Sequence, residues 1–301
     1  MRLIGEELKK EYGTKVYKIA LSGAVTCPNR DGTKGVGGCI FCSNAGSGDF
    51  AQSALLPIPE QLRQGRLLLQ KKLKNTTVPR YIAYFQSFTS TYQPVAVLRE
   101  QYEAAQSAED VVILSVATRP DALEDDKIAL LSELNRKKPV WVEFGLQTSN
   151  EETARRINRC YENRIFEEKV RQLKEAGIPV IAHLILGLPG ETHEDELHSL
   201  LYVQSCGVAG VKLQLLHVLR GTALAAMPYT PLTMEEYTDR VVSLVRHASP
   251  ELVFHRLTGD GNRRELIAPL WSLDKKRVWN TLNAKLASVR QGELFGLPKK
   301  I

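Results

Sequence analysis

The chain has 301 residues, of which 43% are hydrophobic and 25% charged, proportions that are ordinary for a globular protein. No apolar run reaches the ~18 residues that a membrane-spanning helix needs, and the charged first residues lack the apolar core of a signal peptide. We therefore expect a cytoplasmic protein with reduced thiols and no membrane association. The net charge of +6 suits a partner that carries phosphates, although many proteins without such a partner have a similar charge.

Short apolar runs that alternate with amphipathic stretches are the main structural signal. The apolar runs predict six strands, at residues 15–23, 80–88, 110–120, 139–148, 178–190 and 207–219. Helical spacing of apolar residues predicts helices at 59–74, 151–159, 166–177 and 194–207. Gly177 and Gly207 are expected to end the last two helices, because glycine adopts the left-handed conformation common at helix ends. Alternating strands and helices indicate a parallel sheet, which is either an open barrel or a doubly wound sheet.

The last part of the chain, residues 221–301, reads as helices and loops, with a linker at 222–233 and a loose tail at 296–301. Within it, the segment 254–286 is the best candidate for contact with a substrate. Basic groups bind phosphates and aromatic rings stack on exposed bases, and the segment contains His255, Arg256, Arg263, Arg264, Trp271, Lys275, Lys276, Arg277 and Trp279. Packing of the two tryptophans against the barrel is the simpler interpretation for those two residues.

Three of the five cysteines, Cys27, Cys39 and Cys42, are close together in the sequence. A structural zinc site usually has four Cys or His ligands, but only one C-x2-C pair is present here, and the nearest histidine is His183. A [4Fe–4S] cluster held by three cysteines keeps one iron open for a substrate or cofactor. Several glycines in the same loop allow the backbone to wrap closely around such a cluster. The loop therefore favours an iron–sulfur cluster with three cysteine ligands.

The loop CPNRDGTKGVGGCIFC resembles the cluster loop of radical S-adenosylmethionine (SAM) enzymes, in particular the bacterial YhcC/YtqA (MnmL-like) family, which is related to the Elp-type tRNA-modifying branch. Further motifs occur in the same order, namely YFQSFTSTY, SVATRPD, EFGLQT, INRC and GLPGET. The resemblance covers about residues 1–290. It implies an α/β fold, a partial (β/α)6 TIM-type barrel over residues 1–220 with the cluster loop at 27–42. A short, mainly helical extension over 221–301 would contact the substrate.

The resemblance also implies the cofactors and their ligands. Cys27, Cys39 and Cys42 would hold a [4Fe–4S] cluster, whose open iron binds S-adenosylmethionine for reductive cleavage to a 5′-deoxyadenosyl radical. Residues near the carboxyl ends of the strands would contact that cofactor, and the resemblance assigns this role to Gln86, Gln147, Arg159, His183 and Gly187.

The resemblance also implies that Arg159, on the helix after the fourth strand, pairs with the methionine carboxylate, which its planar guanidinium can grip in bidentate fashion. The remaining residues are interpreted from general chemistry or receive no role. Glu143 is expected to face the barrel interior, where it is either paired or functional. His217 is expected at the mouth of the barrel. Cys206 reads as a small core residue, and Cys160 is assigned no role.

For the substrate, the resemblance implies tRNA, with conversion of 5-carboxymethylaminomethyl uridine at position 34 to 5-aminomethyl uridine. An external electron donor such as flavodoxin or ferredoxin would reduce the cluster. Two alternatives stay open: a radical SAM enzyme that acts on a small molecule or a protein, and a metal-binding RNA adaptor without enzymatic activity. No catalytic acid or base is predicted.

Overall fold

The computed structural model describes residues 1–46, 48, 51–73, 78–259 and 261–295, with side chains described up to residue 287. The expected tail at 296–301 lies outside these residues. The strands within them are β1 (Arg2–Leu3), β2 (Val16–Leu21), β3 (Arg80–Phe85), β4 (Val111–Thr118), β5 (Val140–Gln147), β6 (Val180–Leu186), β7 (Gly210–Leu215), β8 (Val218–Leu219), β9 (Val253–Arg256) and β10 (Leu266–Ala268). The α-helices are α1 (Ile4–Tyr12), α2 (Ile58–Leu69), α3 (Val95–Gln106), α4 (Asp125–Asn135), α5 (Glu151–Arg156), α6 (Asn163–Glu175), α7 (His193–Ser205), α8 (Met234–His247) and α9 (Lys275–Phe295).

Eight of these strands form one sheet in the order β1-β9-β7-β6-β5-β4-β3-β2. Every neighbouring pair is parallel, as the strand–helix alternation predicted. The remaining two strands, β8 and β10, form a small antiparallel ladder. All six predicted strands are present, as β2 to β7.

The sheet is curled into a partial barrel. Lys18 on β2 reaches Glu143 on β5, with 3.0 Å between its Nζ and Oε1. Those strands are three positions apart, which is about 14 Å in the hydrogen-bonding direction. Side chains of this length meet across that span because the sheet bends toward its inner face. The expected partial α/β barrel is confirmed.

The two faces of the sheet differ in what covers them. The outer face packs against the helices through buried apolar side chains such as Phe85, Val116 and Phe144, and this is the main core of the protein. At the amino end of the barrel, Leu8 of α1 packs with inner-face residues of β3 and β4, including Ile82 and Ile113. The carboxyl ends of the strands, at the opposite end, are left to loops.

The C-terminal part is mainly helical, as expected, but it also contributes a strand to the sheet. Strand β9 pairs with β7 and β1, so strands from both sides of residue 220 belong to one sheet. The domain division expected at residue 220 stays a prediction. The linker expected at 222–233 also stays a prediction; within it Leu224 is fully buried, and its N–H donates to the Ile40 carbonyl at 2.9 Å. Among the described residues, no helix is both long and apolar enough to cross a membrane.

Helix ends follow local backbone geometry. Gly177 and Gly207 have φ of +69° and +83° and stand two positions after the last residues of α6 and α7, which confirms them as helix-ending residues. The helix expected at 151–159 instead ends at Arg156, because Asn158 and Cys160 adopt left-handed conformations that no continuing helix allows. The helix expected at 59–74 ends at Leu69 and is followed by a 3-10 turn at 70–72, and residue 74 lies outside the described residues.

Candidate active site

The three clustered cysteines lie on the segment after β2, beside the carboxyl end of the sheet, where parallel α/β folds place their sites. The Cys42 N–H donates to the Cys39 carbonyl at 2.9 Å, which forms a tight turn between these two thiols. The Ile40 N–H donates to the Ile157 carbonyl at 3.1 Å and ties the loop to the end of α5. Gly37 has a φ of +80°, a conformation that glycine adopts without steric cost.

All three cysteines line one cavity of about 740 Å³ inside the curled sheet. Its wall also contains four of the five residues predicted to contact the cofactor, namely Gln86, Gln147, Arg159 and His183. Gly187 is not among the lining residues. It forms the turn after β6, where its N–H donates to Glu196 at 2.8 Å and its carbonyl accepts from the Tyr229 hydroxyl at 2.6 Å.

The three cysteines are half-buried, and their thiols are close enough to influence one another. Burial raises the pKa of Cys39 to about 12, and the neighbouring Cys42 and Cys27 add to this effect. A thiolate at this position is therefore costly unless a cation neutralises it. Iron would supply that charge, so the donor set fits an iron–sulfur cluster.

The geometry does not resemble a site for a single ion. Among the described residues, no three Cys, His, Asp or Glu side chains are grouped so that one metal ion could be held. A [4Fe–4S] cluster distributes its cysteine ligands over different irons, so its thiolates do not need to converge on one point. Three thiols on the wall of one large cavity are compatible with that arrangement.

Gln147 is a buried polar group with an unused acceptor. Gln147 is the last residue of β5 and has a φ of +68°, which is unusual for a residue other than glycine. Its Oε1 is buried and has no hydrogen-bond partner within the described part of the chain. An amide oxygen of this kind on a cavity wall is suited to accept a hydrogen bond from a bound amino group. This position agrees with the predicted cofactor contact.

Arg159 lies in the cavity wall, but protein groups already surround its guanidinium. The side chain is 1% exposed, and its nitrogens donate to the carbonyls of Leu146, Thr148 and Tyr161 at 2.8–3.2 Å. Its Nη2 also meets Asn163 Oδ1 at 2.9 Å. These contacts hold the turn after β5, and they leave the predicted grip on a methionine carboxylate without a spare donor pair.

Arg119 is a cavity residue that the sequence interpretation did not single out. It is 8% exposed and forms a bidentate pair with Asp121, with both N–O distances at 2.9 Å. Its charge acts on Cys39, where it opposes the rise in pKa. Arg119 belongs to the SVATRPD motif, and its position directly after the β4 strand is a signal that could have identified it.

A second polar cluster lies deeper in the same cavity and is centred on Glu143, which is fully buried. Its Oε1 accepts from Lys18 Nζ at 3.0 Å and from Ser115 Oγ at 2.7 Å. Its Oε2 contacts His183 Nε2 at 2.8 Å and also accepts from Lys212 Nζ. Glu143 was expected to face the barrel interior and to be either paired or functional; it does face the interior, and it is paired.

The charges in this cluster determine its protonation. Burial acts to raise the pKa of Glu143, but Lys18 and Lys212 outweigh it and hold the pKa well below its usual range. Burial lowers the pKa of Lys212 to about 7 against the attraction of Glu143, and burial together with the Lys212 charge lowers the pKa of His183 to about 4. Glu143 is thus ionised and His183 neutral at pH 7, while Lys212 titrates near that pH.

The two lysines were missed from the sequence, although a signal existed. Each stands inside an otherwise apolar strand, as Lys18 in KVYKIALSG and Lys212 in GVKLQLLH. A lysine on the buried face of a strand is rare without a partner. That pattern alone predicts a buried acceptor for each, but it does not tell which residue provides it.

The basic C-terminal segment is divided between the interior and the surface. His255 is part of β9, lines the cavity and packs edge-on against Trp141, so it is not a surface contact for a substrate. Trp271 packs on Tyr237 and donates to the Leu232 carbonyl at 3.0 Å, which confirms its structural role. Trp279 is 43% exposed, so the interpretation that it packs against the barrel does not hold for this residue.

Cys206 is half-buried and packs against the main core, as expected. Cys160 is exposed and lies against the cluster loop, since a side chain at Gly35 would meet its Sγ at 2.7 Å. His217 lines a smaller cavity of about 170 Å³ that shares Cys42 and Gln147 with the main one, and this places it near the predicted mouth.

Comparison with known proteins identifies the family of the chain. The Radical SAM superfamily profile matches residues 26–202, and the Radical_SAM C-terminal domain profile matches residues 208–288. YtqA of Bacillus subtilis is 41% identical over 294 residues, which cover 96% of this chain and 90% of YtqA. YhcC of Escherichia coli K12 is 40% identical over 277 residues, which cover 90% of this chain and 87% of YhcC.

A solved structure shares the fold. The archaeal Elp3 of Methanocaldococcus infernus aligns with a TM-score of 0.63 and 16% sequence identity, over 90% of this chain and 63% of the Elp3 chain. At that identity the likeness establishes the fold alone. The sequence profiles and the YtqA and YhcC relatives carry the further conclusion. This chain belongs to the radical SAM superfamily, whose enzymes bind a [4Fe–4S] cluster and S-adenosylmethionine and cleave the latter reductively.

Proposed function

We propose that the protein modifies the wobble uridine of tRNA, converting 5-carboxymethylaminomethyl uridine at position 34 to 5-aminomethyl uridine. One observation carries the choice of a nucleic acid: an exposed basic surface adjoins the cavity. Arg263, Arg264, Lys275, Lys276 and Arg277 are all exposed on the segment that follows β9. Such a surface suits the phosphates of an RNA whose base enters the cavity.

The position of this basic surface follows from two contacts. Strand β9 contributes Arg256 to the cavity wall, and the basic segment continues from it. Further along, Ser272 Oγ lies 3.2 Å from His217 Nε2, next to the carboxyl end of β7. The basic segment is therefore attached beside the cavity mouth. This arrangement supports the proposal that residues 221–301 contact the substrate.

The cofactors supply the hydrogen abstraction: the cluster, held by Cys27, Cys39 and Cys42, and S-adenosylmethionine together provide a 5′-deoxyadenosyl radical when bound. We assign Gln86, Gln147 and His183 to the wall that positions this cofactor, with Gly187 shaping the adjacent turn. Burial within the curled sheet keeps bulk water away from the reacting carbon. An external electron carrier, such as flavodoxin or ferredoxin, provides the electron for cleavage.

The proposed conversion removes a two-carbon unit from the uridine side chain. Loss of a hydrogen atom from the methylene beside the carboxylate leaves a carbon radical that the adjacent nitrogen stabilises. That radical gives up one electron to the electron carrier and one proton to solvent, which forms an imine. Water then splits the imine into the 5-aminomethyl group and glyoxylate. The electron consumed in cofactor cleavage is thus returned.

The test is nucleoside mass spectrometry of tRNA from a strain that lacks the gene. We expect 5-carboxymethylaminomethyl uridine to accumulate and its 5-aminomethyl product to disappear. Complementation with the wild-type gene should restore the product, whereas a Cys39→Ala gene should not. An unchanged set of wobble nucleosides would refute the tRNA proposal and favour a small molecule or a protein as the substrate.

A further inference from the structure

The floor of the cavity carries more positive than negative charge. We use "basic floor" for Lys18, Glu143, Lys212 and Arg256, which all line the cavity. Among the described residues that line it, Glu143 is the single Asp or Glu. One carboxylate therefore faces two lysines and an arginine. A ligand that enters this region meets an excess of positive charge in a partly desolvated space, where electrostatic attraction is strong.

The lysines retain hydrogen-bond donors after their contacts with the protein. An ammonium group has three N–H donors. Within the described residues, Lys18 donates to Glu143, and its ammonium also lies 4.7 Å from the centre of the Tyr84 ring. Lys212 donates to Glu143 and to the Tyr84 hydroxyl at 3.1 Å. Each lysine therefore has at least one N–H left for a ligand, and the Lys18 side chain is 29% exposed toward the cavity.

The basic floor lies below the level of the cysteines. Lys18 precedes the end of β2 at Leu21 by three residues, or about 10 Å along the strand. The cysteine loop begins beyond that end. Gln86 and Gln147, which are assigned above to the cofactor, stand at the carboxyl ends of β3 and β5, nearer the loop than the floor is, and this leaves the floor to the substrate.

We infer that the basic floor binds the carboxylate of the substrate side chain, with Lys18 and Lys212 as its donors. This inference rests on the proposed function, because the uridine side chain proposed above ends in a carboxylate. A carboxylate at the end of a flexible side chain enters a cavity more readily than an RNA phosphate, which is fixed between two nucleotides. Bound there, the carboxylate holds the adjacent methylene between the floor and the cofactor.

The inference also predicts that binding of the carboxylate depends on the pH, through the protonation of Lys212. Lys212 is faced by Lys18, Tyr84, Glu143, His183 and, from β9, Arg256 and His255. Burial lowers the pKa of Lys212 to about 7. The ammonium is therefore charged below that pH and loses its charge above it. Attraction for a carboxylate is then expected to weaken as the pH rises through about 7.

The experiment compares two anticodon stem–loop RNAs. One carries 5-carboxymethylaminomethyl uridine at position 34, and the other carries the corresponding carboxamide. Both are titrated into enzyme that holds its cluster and S-adenosylmethionine without a reductant, so that no turnover occurs. We expect wild-type enzyme to bind the carboxylate RNA about tenfold more tightly, the scale of one charged hydrogen bond. Lys18→Gln should remove most of this preference, and Lys15→Gln, a matched change at an exposed position just before β2, should keep it.

Several results would overturn the inference: equal affinities in the wild type, an unchanged preference in Lys18→Gln, or a loss of S-adenosylmethionine binding in that variant. If Lys18→Gln fails to fold, the inference is tested by repeating the wild-type titrations at several pH values. The preference for the carboxylate RNA should fall above pH 7. Turnover with a reductant separates the two proposals. If the enzyme prefers the carboxylate RNA but does not convert it, the role of the basic floor is supported and the proposed reaction is refuted. If the enzyme converts the RNA but shows no preference for the carboxylate, the proposed reaction is supported and the role of the basic floor is refuted.

Discussion

Glu143 is fully buried, and four side chains from four other strands surround its carboxylate. Burying an ion pair costs desolvation free energy that the attraction of its partners often only balances. Stability alone therefore does not explain two lysines and a carboxylate inside a barrel. Buried charge groups with shifted pKa values on a cavity wall are typical of functional sites, and this supports the role given to the basic floor.

The cysteines give the most direct test at the scale of single residues. Cys39→Ala removes one of three thiolates, and the resulting pair is expected to hold the cluster too weakly to purify with it. We expect the iron–sulfur absorbance and the reductive cleavage of S-adenosylmethionine to be lost together. Cys206→Ala is the matched control, because that cysteine packs on the core away from the cavity. Full cleavage activity in Cys39→Ala would contradict the assignment.

Among the elements, the turn after β6 depends on glycine for two separate reasons. Gly187 has a φ of +83°, and a Cβ there would lie 3.0 Å from the Leu232 side chain. Gly221 has a similar φ of +78°, but a Cβ there would meet nothing within 4 Å. Substitution of each glycine by alanine therefore distinguishes the cost of backbone strain from the cost of crowding.

We expect Gly221→Ala to lower the free energy of unfolding by about 1 kcal/mol, the cost of a left-handed conformation. Gly187→Ala should lower it by about 2–3 kcal/mol, because crowding against Leu232 adds to the same strain. Chemical denaturation of both variants measures the difference. Equal losses would show that Leu232 moves aside and that crowding is unimportant at this turn.

Strand β9 shows how an element can escape a prediction from sequence. It is four residues long, VFHR, and half of these are polar. Such a short run has no clear apolar period, so it reads as part of a loop. Its pairing with β7 and β1 nevertheless places His255 and Arg256 in the cavity.

For the molecule as a whole, the buried histidines predict how stability depends on pH. Burial, with the charge of Lys18, lowers the pKa of His255 to about 3, from 6.5. Below pH 6.5 the unfolded chain therefore binds a proton that the folded chain excludes. The free energy of unfolding should fall as the pH decreases from 6.5, by about 1.4 kcal/mol per pH unit for this group.

His255→Phe isolates the effect, because the Nδ1 of His255 has no hydrogen-bond partner within the described residues and the ring packs on Trp141. We expect the variant to show a shallower loss of stability between pH 6.5 and 5 than the wild type, measured by denaturant unfolding at each pH. His247→Phe changes an exposed histidine and should keep the wild-type slope. Identical slopes in all three proteins would contradict a neutral, buried His255.

The parts of the molecule that were predictable are those whose signal is local. Cys27, Cys39 and Cys42 stand close together in the sequence, so their spacing alone indicated the cluster and the chemistry that it supports. The six strands from β2 to β7 were likewise predictable, because short apolar runs that alternate with amphipathic stretches indicate a parallel sheet. Arg159 was less predictable: its motif placed it near the cofactor, but only the fold shows the carbonyls that surround it.

The amino-acid sequence by itself thus indicated the superfamily, the parallel sheet and three candidate cluster ligands, since each of these signals comes from residues that are near one another along the chain. The basic floor was decided by tertiary structure alone. Lys18 and Glu143 are 125 residues apart, and Lys212 lies 69 residues beyond Glu143. They meet because the parallel sheet curls toward its inner face, and a pairing that depends on curvature leaves no periodic trace in the sequence.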